Sequence, residues 1–400
     1  MQSADLTRRR ALMGSLSLLS LSACSMGSFS LPDFNAPTRP PGGTTGLPLA
    51  AGQTLGTGPV RVAMLLPLSG DAGLVRVGTS MANGAQLAME FIAGNPKMTD
   101  NVTLVIKDTG PSAAGAASAA SQAVQEGASL ILGPLKADQV TAAGGVARSA
   151  GIQLIGFSNN SGAAQPGVFL LNVLPESEVR RSLGFANAAG RKAFAGIFPT
   201  NDFGRIQQGA FTQAAADLGI RVVATYSFGN EAEARDVVTQ IAPTLLAGQV
   251  DALFLPDRAT APSFGVLLGE ANVPAGGIQI IGSADWNNDP QIAATPFLQG
   301  AFYPAIDDKG YQAILPDYTQ KFGSAPHPFV TLAYTAVILA NVSSLSLGTP
   351  RYDRALLTSA AGFNGRDGVF RFLADGRSEY ALTIKKIGGG GASVVDAARI

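Results

Sequence analysis

Apolar residues along this chain fall into two alternating patterns. One is a short run almost free of polar residues, as in Val60-Arg61-Val62-Ala63-Met64-Leu65-Leu66, which suits a strand buried on both faces of a parallel sheet. The other is a longer stretch with apolar residues every three or four positions, which marks an amphipathic helix. In order, the pattern predicts helix over 74–94, strand over 102–107, helix over 113–126, strand over 129–132, helix over 137–150 and strand over 152–156. After a connector at 170–177 it resumes with helix 178–189, strand 194–198, helix 203–218, strand 222–228, helix 231–247, strand 251–255, helix 260–271 and strand 278–282. A second connector, 299–309, leads to helices over 311–322 and 330–344, a closing segment over 352–361 and strands over 369–373 and 380–387. The glycines at 388–391 and the tail read as flexible, and they lack the strand-to-helix context a phosphate loop needs. Regular alternation of strand and helix means an α/β chain with parallel sheets covered on both faces. Two such runs predict two lobes with a cleft between them.

The first 58 residues lie outside this rhythm. Thr7-Arg8-Arg9-Arg10, an apolar stretch over 11–20 and small residues before Cys24 form a secretory signal pattern. The apolar stretch falls short of the ~20 residues a membrane-spanning helix needs. Leu21-Ser22-Ala23-Cys24 resembles the lipobox of bacterial lipoproteins. The resemblance implies removal of residues 1–23 and a diacylglycerol thioether on Cys24, and Ser25 after it favours the outer membrane. Two or more acyl chains on one residue hold a protein stably at a bilayer. The arginines also resemble a twin-arginine export signal. Residues 24–58, with Pro37, Pro40, Pro41, Gly42, Gly43 and Pro48, read as a disordered tether.

Composition narrows the chemistry. Lys and Arg number 28, as do Asp and Glu, and only 14% of residues are charged, so there is no basic face for nucleic acid. Cys24 is the only cysteine, which excludes a disulfide within the fold, a cysteine zinc site and thiol catalysis. His327 is the only histidine and sits in Ala325-Pro326-His327-Pro328, a rigid loop where it reads as a surface or packing residue rather than a catalytic one. No cofactor or metal motif is present.

In open parallel α/β sheets, ligands bind beyond the carboxyl ends of the strands. The segments there are Pro67-Leu68-Ser69-Gly70-Asp71, Gly133-Pro134-Leu135-Lys136-Ala137-Asp138, Phe157-Ser158-Asn159-Asn160-Ser161, Thr200-Asn201-Asp202-Phe203-Gly204, Pro256-Asp257-Arg258 and Ser283-Ala284-Asp285-Trp286-Asn287. Most open a helix, whose free N–H groups and dipole attract an anion such as a carboxylate. Ser69, Ser158, Asn159 and Thr200 can add hydrogen bonds, Asp257 and Asp285 can face an ammonium, and Phe203 and Trp286 can cover apolar parts. The competing reading of each Ser, Asn or Asp is a helix N-cap.

These loops carry a resemblance. Residues 60–387 resemble the type I periplasmic binding proteins of the leucine/isoleucine/valine class, in Val62–Gly70, Gly84-Ala85-Gln86-Leu87-Ala88, Leu130-Ile131-Leu132-Gly133-Pro134, Asn201-Asp202-Phe203-Gly204 and Gly368-Val369-Phe370-Arg371-Phe372. The resemblance implies two Rossmann-like lobes joined by three crossovers, the third near 362–368. The first lobe would span 60–175 plus 305–361, and the second 176–304 plus 362–390. It implies a ligand α-carboxylate at Lys136, Ala137 and Asp138 and at Ser158, Asn159 and Asn160. The ammonium would lie on Asp285, and Phe203 would line the cleft.

Where amino-acid-binding members offer Ser or Thr, this chain has Leu135-Lys136-Ala137-Asp138. Leu65–Gly70 and Gly133-Pro134-Leu135 also look like the C-terminal domain of outer-membrane lipoproteins that activate penicillin-binding proteins. Three functions stay open. The first is a non-enzymatic, lipid-anchored periplasmic receptor that delivers an amino acid or related small polar ligand to an ABC importer. The second is an activator of a penicillin-binding protein in peptidoglycan synthesis. The third is a hydrolase using Asp257 with Asp285.

Overall fold

The structure, a computed structural model, describes residues 52–400. The signal segment, Cys24 and most of the expected tether lie outside the described residues. The first sheet contains β1 (Thr54–Leu55), β2 (Val60–Leu66), β3 (Val102–Asp108), β4 (Leu130–Leu132), β5 (Gln153–Gly156) and β6 (Val168–Leu170) in the order β1-β3-β2-β4-β5-β6. All its pairings are parallel except β1 with β3. β1 was not foreseen: residues read as tether add to the sheet edge, with Thr54 opposite Val105. Helices α1 (Ala72–Gly94), α2 (Ala113–Gln125) and α3 (Ala137–Ser149) complete this run. α2 and α3 present Ala116, Ala120, Ala143 and Ala147 to the sheet, and these small side chains let the helices approach closely over Ala63, Leu65 and Ile131.

The second lobe begins with α4 (Pro175–Ala188) and continues through β7 (Ala193–Pro199), α5 (Asp202–Asp217), β8 (Arg221–Phe228), α6 (Glu231–Leu246), β9 (Ala252–Phe254), α7 (Ala261–Glu270), β10 (Gln279–Ile281), α8 (Pro290–Ala294) and β11 (Phe302–Ala305). β7 shows why an unbroken apolar run is required. Phe194 and Phe198 face α4 and α5, packing with Phe211 and Phe254, while Ala195 and Ile197 face α6 and α7. Both faces are dry, so alternation of polar and apolar residues disappears.

The chain then returns to the first lobe through α9 (Lys309–Phe322) and α10 (Val330–Ala340), which pack on α1. Beyond α11 (Ser343–Ser346), the segment over 352–361 holds one short helix, α12 (Arg354–Leu357), capped by Asp353. The third crossover also differs from expectation. β12 (Phe363–Gly365), β13 (Gly368–Phe372) and β14 (Ser378–Tyr380) form their own antiparallel sheet, packed on the first lobe through the Phe169 and Phe372 rings at 5.2 Å. The chain enters the second sheet only at β15 (Leu382–Gly388). The glycines read as flexible make a turn instead, and β16 (Gly391–Arg399) pairs antiparallel with β15. The second sheet therefore runs β16-β15-β11-β10-β9-β7-β8.

The connections are stitched together. The Ser378 hydroxyl donates to the Asn172 carbonyl at 2.6 Å, and Asn172 Nδ2 donates to the Phe157 carbonyl at 2.8 Å. Arg181 on α4 donates to the Leu382 carbonyl at 2.8 Å. His327 is half-buried in the loop before α10: its backbone N–H donates to Ser80 Oγ on α1 at 2.8 Å, and desolvation pushes its pKa down to about 4, so it is neutral at pH 7.

Candidate functional site

Strand order reverses at β2, flanked by β3 and β4, and at β7, flanked by β8 and β9. Crevices open beyond the carboxyl ends of strands at such points. In the first lobe the crevice is bordered by Pro67–Gly70 after β2 and Gly133–Lys136 after β4. Gly133, at φ +82°, carries this turn, and a Cβ there would lie 2.2 Å from the Leu65 carbonyl oxygen. Asp108 fixes the facing loop by accepting from the N–H groups of Leu68 and Gly110, both at 2.9 Å. Burial would raise its pKa, but these donors and the Ser69 hydroxyl hold it below the usual carboxylate range. Ser69 is thus turned toward Asp108. Lys136 pairs with Asp138 at 3.7 Å, both exposed, and α3 begins with no side-chain cap.

The loop after β5 is largely self-satisfied. Ser158, buried, accepts from the Asn160 N–H at 3.1 Å, and Asn160 Oδ1 accepts from the Gly162 N–H at 3.0 Å. Asn159 lies half-buried between them.

In the second lobe Asn201 caps α5 by accepting from the Gly204 N–H at 2.9 Å, which leaves Phe203 half-buried at the helix start. Replacing Asn201 by Ala is expected to cost about 1 kcal/mol of folding stability, read from urea unfolding. An unchanged midpoint would mean the cap is not formed. Asp257 accepts from the Thr260 hydroxyl at 2.7 Å and the Ala259 N–H at 3.3 Å, the geometry of a local cap. Asp285 lies 3.7 Å from Arg258 Nε. Burial raises the Asp285 pKa, Arg258 opposes that rise, and Asp257 adds to it. Trp286 is buried over Gly282 and beside Tyr303, where a Cβ on Gly282 would lie 2.2 Å from the indole.

The structure adds three residues that sequence reasoning missed. Glu178, in the first turn of α4, faces the Ala284 N–H, the Gln207 side chain, Asp285 and Glu176. The residue is half-buried, and desolvation at this turn pushes its pKa up to about 7. Gln207 is 2% exposed, and its Oε1 has no donor, nor has Glu176 Oε2. The other Glu176 oxygen accepts from the Ser161 hydroxyl of the first lobe, so the two walls meet at this turn. The only sequence sign is the pair of acids in Pro175-Glu176-Ser177-Glu178, a placement that any helix dipole favours. Gln207, in mid-helix, gave no sign.

Two strand-order reversals and a doubly wound pair of lobes match what family comparison finds. Residues 59–346 match the family described as periplasmic binding protein. The chain belongs to this family. Its fold is the type I periplasmic binding protein fold, as in a putative branched-chain amino acid ABC transporter protein from Rhodospirillum rubrum (TM-score 0.70, 20% identity, covering 84% of this chain and 99% of that one). The substrate-binding protein of a branched-chain amino acid transporter from Streptococcus pneumoniae, solved with isoleucine, aligns at TM-score 0.56 and 20% identity over 84% and 99%. A solute-binding protein from R. palustris, solved with benzoate, aligns at 0.55 and 19% over 86% and 98%. No curated protein sequence matches the chain significantly.

Proposed function

We propose that this chain is an extracytoplasmic, lipid-anchored solute receptor that holds a small amino-bearing ligand between its lobes for an ABC importer. The supporting observation is the acceptor-rich turn where the walls meet: Glu178, Gln207 Oε1 and Glu176 Oε2 together offer negative charge and two buried acceptors without donors. A primary ammonium brings three donors to such a place. The uncapped start of α3 at Lys136–Asp138 and the loop at Ser158–Asn160 would take the carboxylate, with Asp285 and Phe203 on the opposite wall. Family membership supports the receptor role, as do the isoleucine and benzoate bound by the S. pneumoniae and R. palustris proteins. The anchor would be Cys24, at the outer membrane.

A second reading has its own observation. Ser158, Asn160 and Asp257 spend polar atoms on their own loops, and Ser69 spends its hydroxyl on Asp108 of the neighbouring strand. A cleft so satisfied also suits a fold retained for contact with a protein such as a penicillin-binding protein. A thermal-shift screen of residues 25–400 against amino acids, amines, aromatic acids and cell-wall peptides separates the two. A ligand at ~100 times its dissociation constant should add about 2.7 kcal/mol, a rise of a few degrees. No shift across the panel, with capture of a penicillin-binding protein, would replace the receptor reading by the second.

A further inference from the structure

We propose that a groove on the first lobe, remote in sequence from every loop of the cleft, is a binding site for a small carboxylic acid with an aromatic or branched aliphatic body. The groove encloses about 360 Å³ between the end of α1, the outer face of α10 and the β12–β13 hairpin. That volume lies at the small-molecule end of ligand pockets, which run about 300–1,000 Å³ and are mostly apolar with a few placed polar groups. Phe91, Tyr334, Ile338, Phe363 and Phe370 supply the apolar walls, and Arg366 supplies the polar group.

Two features distinguish this groove from ordinary surface. Phe91 is 46% exposed at its rim, a large ring held in water beside Tyr334, with centroids 6.3 Å apart. The Arg366 guanidinium lies 4.3 Å from the Tyr334 ring centroid and forms no ion pair among the described residues, although the carboxyl of Asp367 is its neighbour in sequence. Asp367 turns inward instead, accepting from the Thr331 hydroxyl at 3.0 Å. The Arg366 backbone is fixed by its N–H bond to Thr335 Oγ1 at 2.9 Å, and Gly310 packs against its carbonyl so closely that a Cβ there would lie 1.7 Å away. The backbone bearing the cation is therefore built in, while the donors of its planar fork meet no acceptor among the described residues. A guanidinium so placed matches a carboxylate in two-pronged fashion, and the rings beside it match an apolar body.

The test uses the full chain and two probes, N-acetylphenylalanine and its amide, in isothermal titration. The acid is expected to bind at least tenfold more tightly than the amide. Arg366→Gln should bring the acid down to the level of the amide, and Arg366→Lys should restore part of the difference. Phe91→Ala, at an exposed site, should weaken both probes equally. Equal binding of acid and amide would overturn the proposal, as would absence of binding by either. Loss of acid binding in Glu178→Gln with none in Arg366→Gln would place the probe in the cleft and also overturn it. A concentration-dependent dimer that disappears in Arg366→Gln would give the groove to a second copy of the chain, with the same consequence.

Discussion

Replacing Asp367 by Asn is expected to leave stability unchanged near pH 4 and to raise it above the parent's by up to about 4 kcal/mol at pH 8. Asp367 is 5% exposed in the turn between β12 and β13, and its bonded partner is the Thr331 hydroxyl. Burial pushes its pKa up from 3.8 to about 7. Below pH 3.8 both folded and unfolded chains carry the proton, so the group's contribution is fully present. Between there and about 7 the unfolded chain ionises while the folded chain does not, and each pH unit then favours unfolding by about 1.4 kcal/mol. Above about 7 the loss is complete. Asn keeps the shape and the acceptor for Thr331 without the charge.

Glu178, raised to about 7 from 4.5, has the same sign in its own window. His327 has the opposite sign: burial lowers its pKa from 6.5 to about 4, so its contribution is present above 6.5 and lost as pH falls through about 4. The parent's own profile mixes these slopes, and only the difference between variant and parent isolates Asp367. Urea midpoints of both proteins from pH 4 to 8 provide it. A difference that stays constant with pH would mean that Asp367 ionises normally in the folded chain.

The sequence disclosed those parts of the fold that are written in burial on both faces. β2 and β7 are apolar at nearly every position because helices cover both sides of their sheets, and the pattern marks them without ambiguity. β1 and β16 escaped notice for a physical reason. Thr54–Leu55 is two residues long among glycines, and β16 is mostly exposed, so both are held by backbone pairing that leaves no apolar signature. The third crossover was misplaced because strands β12 to β14 look like any others in sequence, and only pairing reveals that they form a separate sheet.

The site was half legible. Strand ends followed by small polar residues located the loops, since topology alone puts ligands there. What those residues do was not legible, because a Ser or Asn that caps its own loop and one that awaits a ligand have the same sequence. Trp286 looked like a cleft cover because it follows a strand. Gly282, lacking a side chain, lets the indole lie flat on the backbone and turns it into core. Glu178 was hidden by the opposite confusion, since an acid in a helix's first turn is ordinarily solvated.

The sequence reading put ammonium recognition on Asp285; the geometry shifts the expected weight to Glu178. Asp285 already has Arg258 at 3.7 Å, whereas Glu178 has only neutral donors, the Ala284 N–H and Gln207, and two acids beside it. For whichever amino-bearing ligand the screen finds, Glu178→Gln is expected to cost about 2–5 kcal/mol of affinity, roughly 30-fold or more. Asp285→Asn should cost less, since it also releases Arg258. The pH dependence supplies an independent readout. A cationic ligand binds the ionised carboxylate, so in the parent the affinity should be flat above about pH 7 and fall close to tenfold per unit below it. Glu178→Gln should flatten that profile. Affinity independent of pH from 5 to 8, or a larger loss in Asp285→Asn than in Glu178→Gln, would return the role to Asp285 and leave Glu178 as a buried acid of the α4 turn.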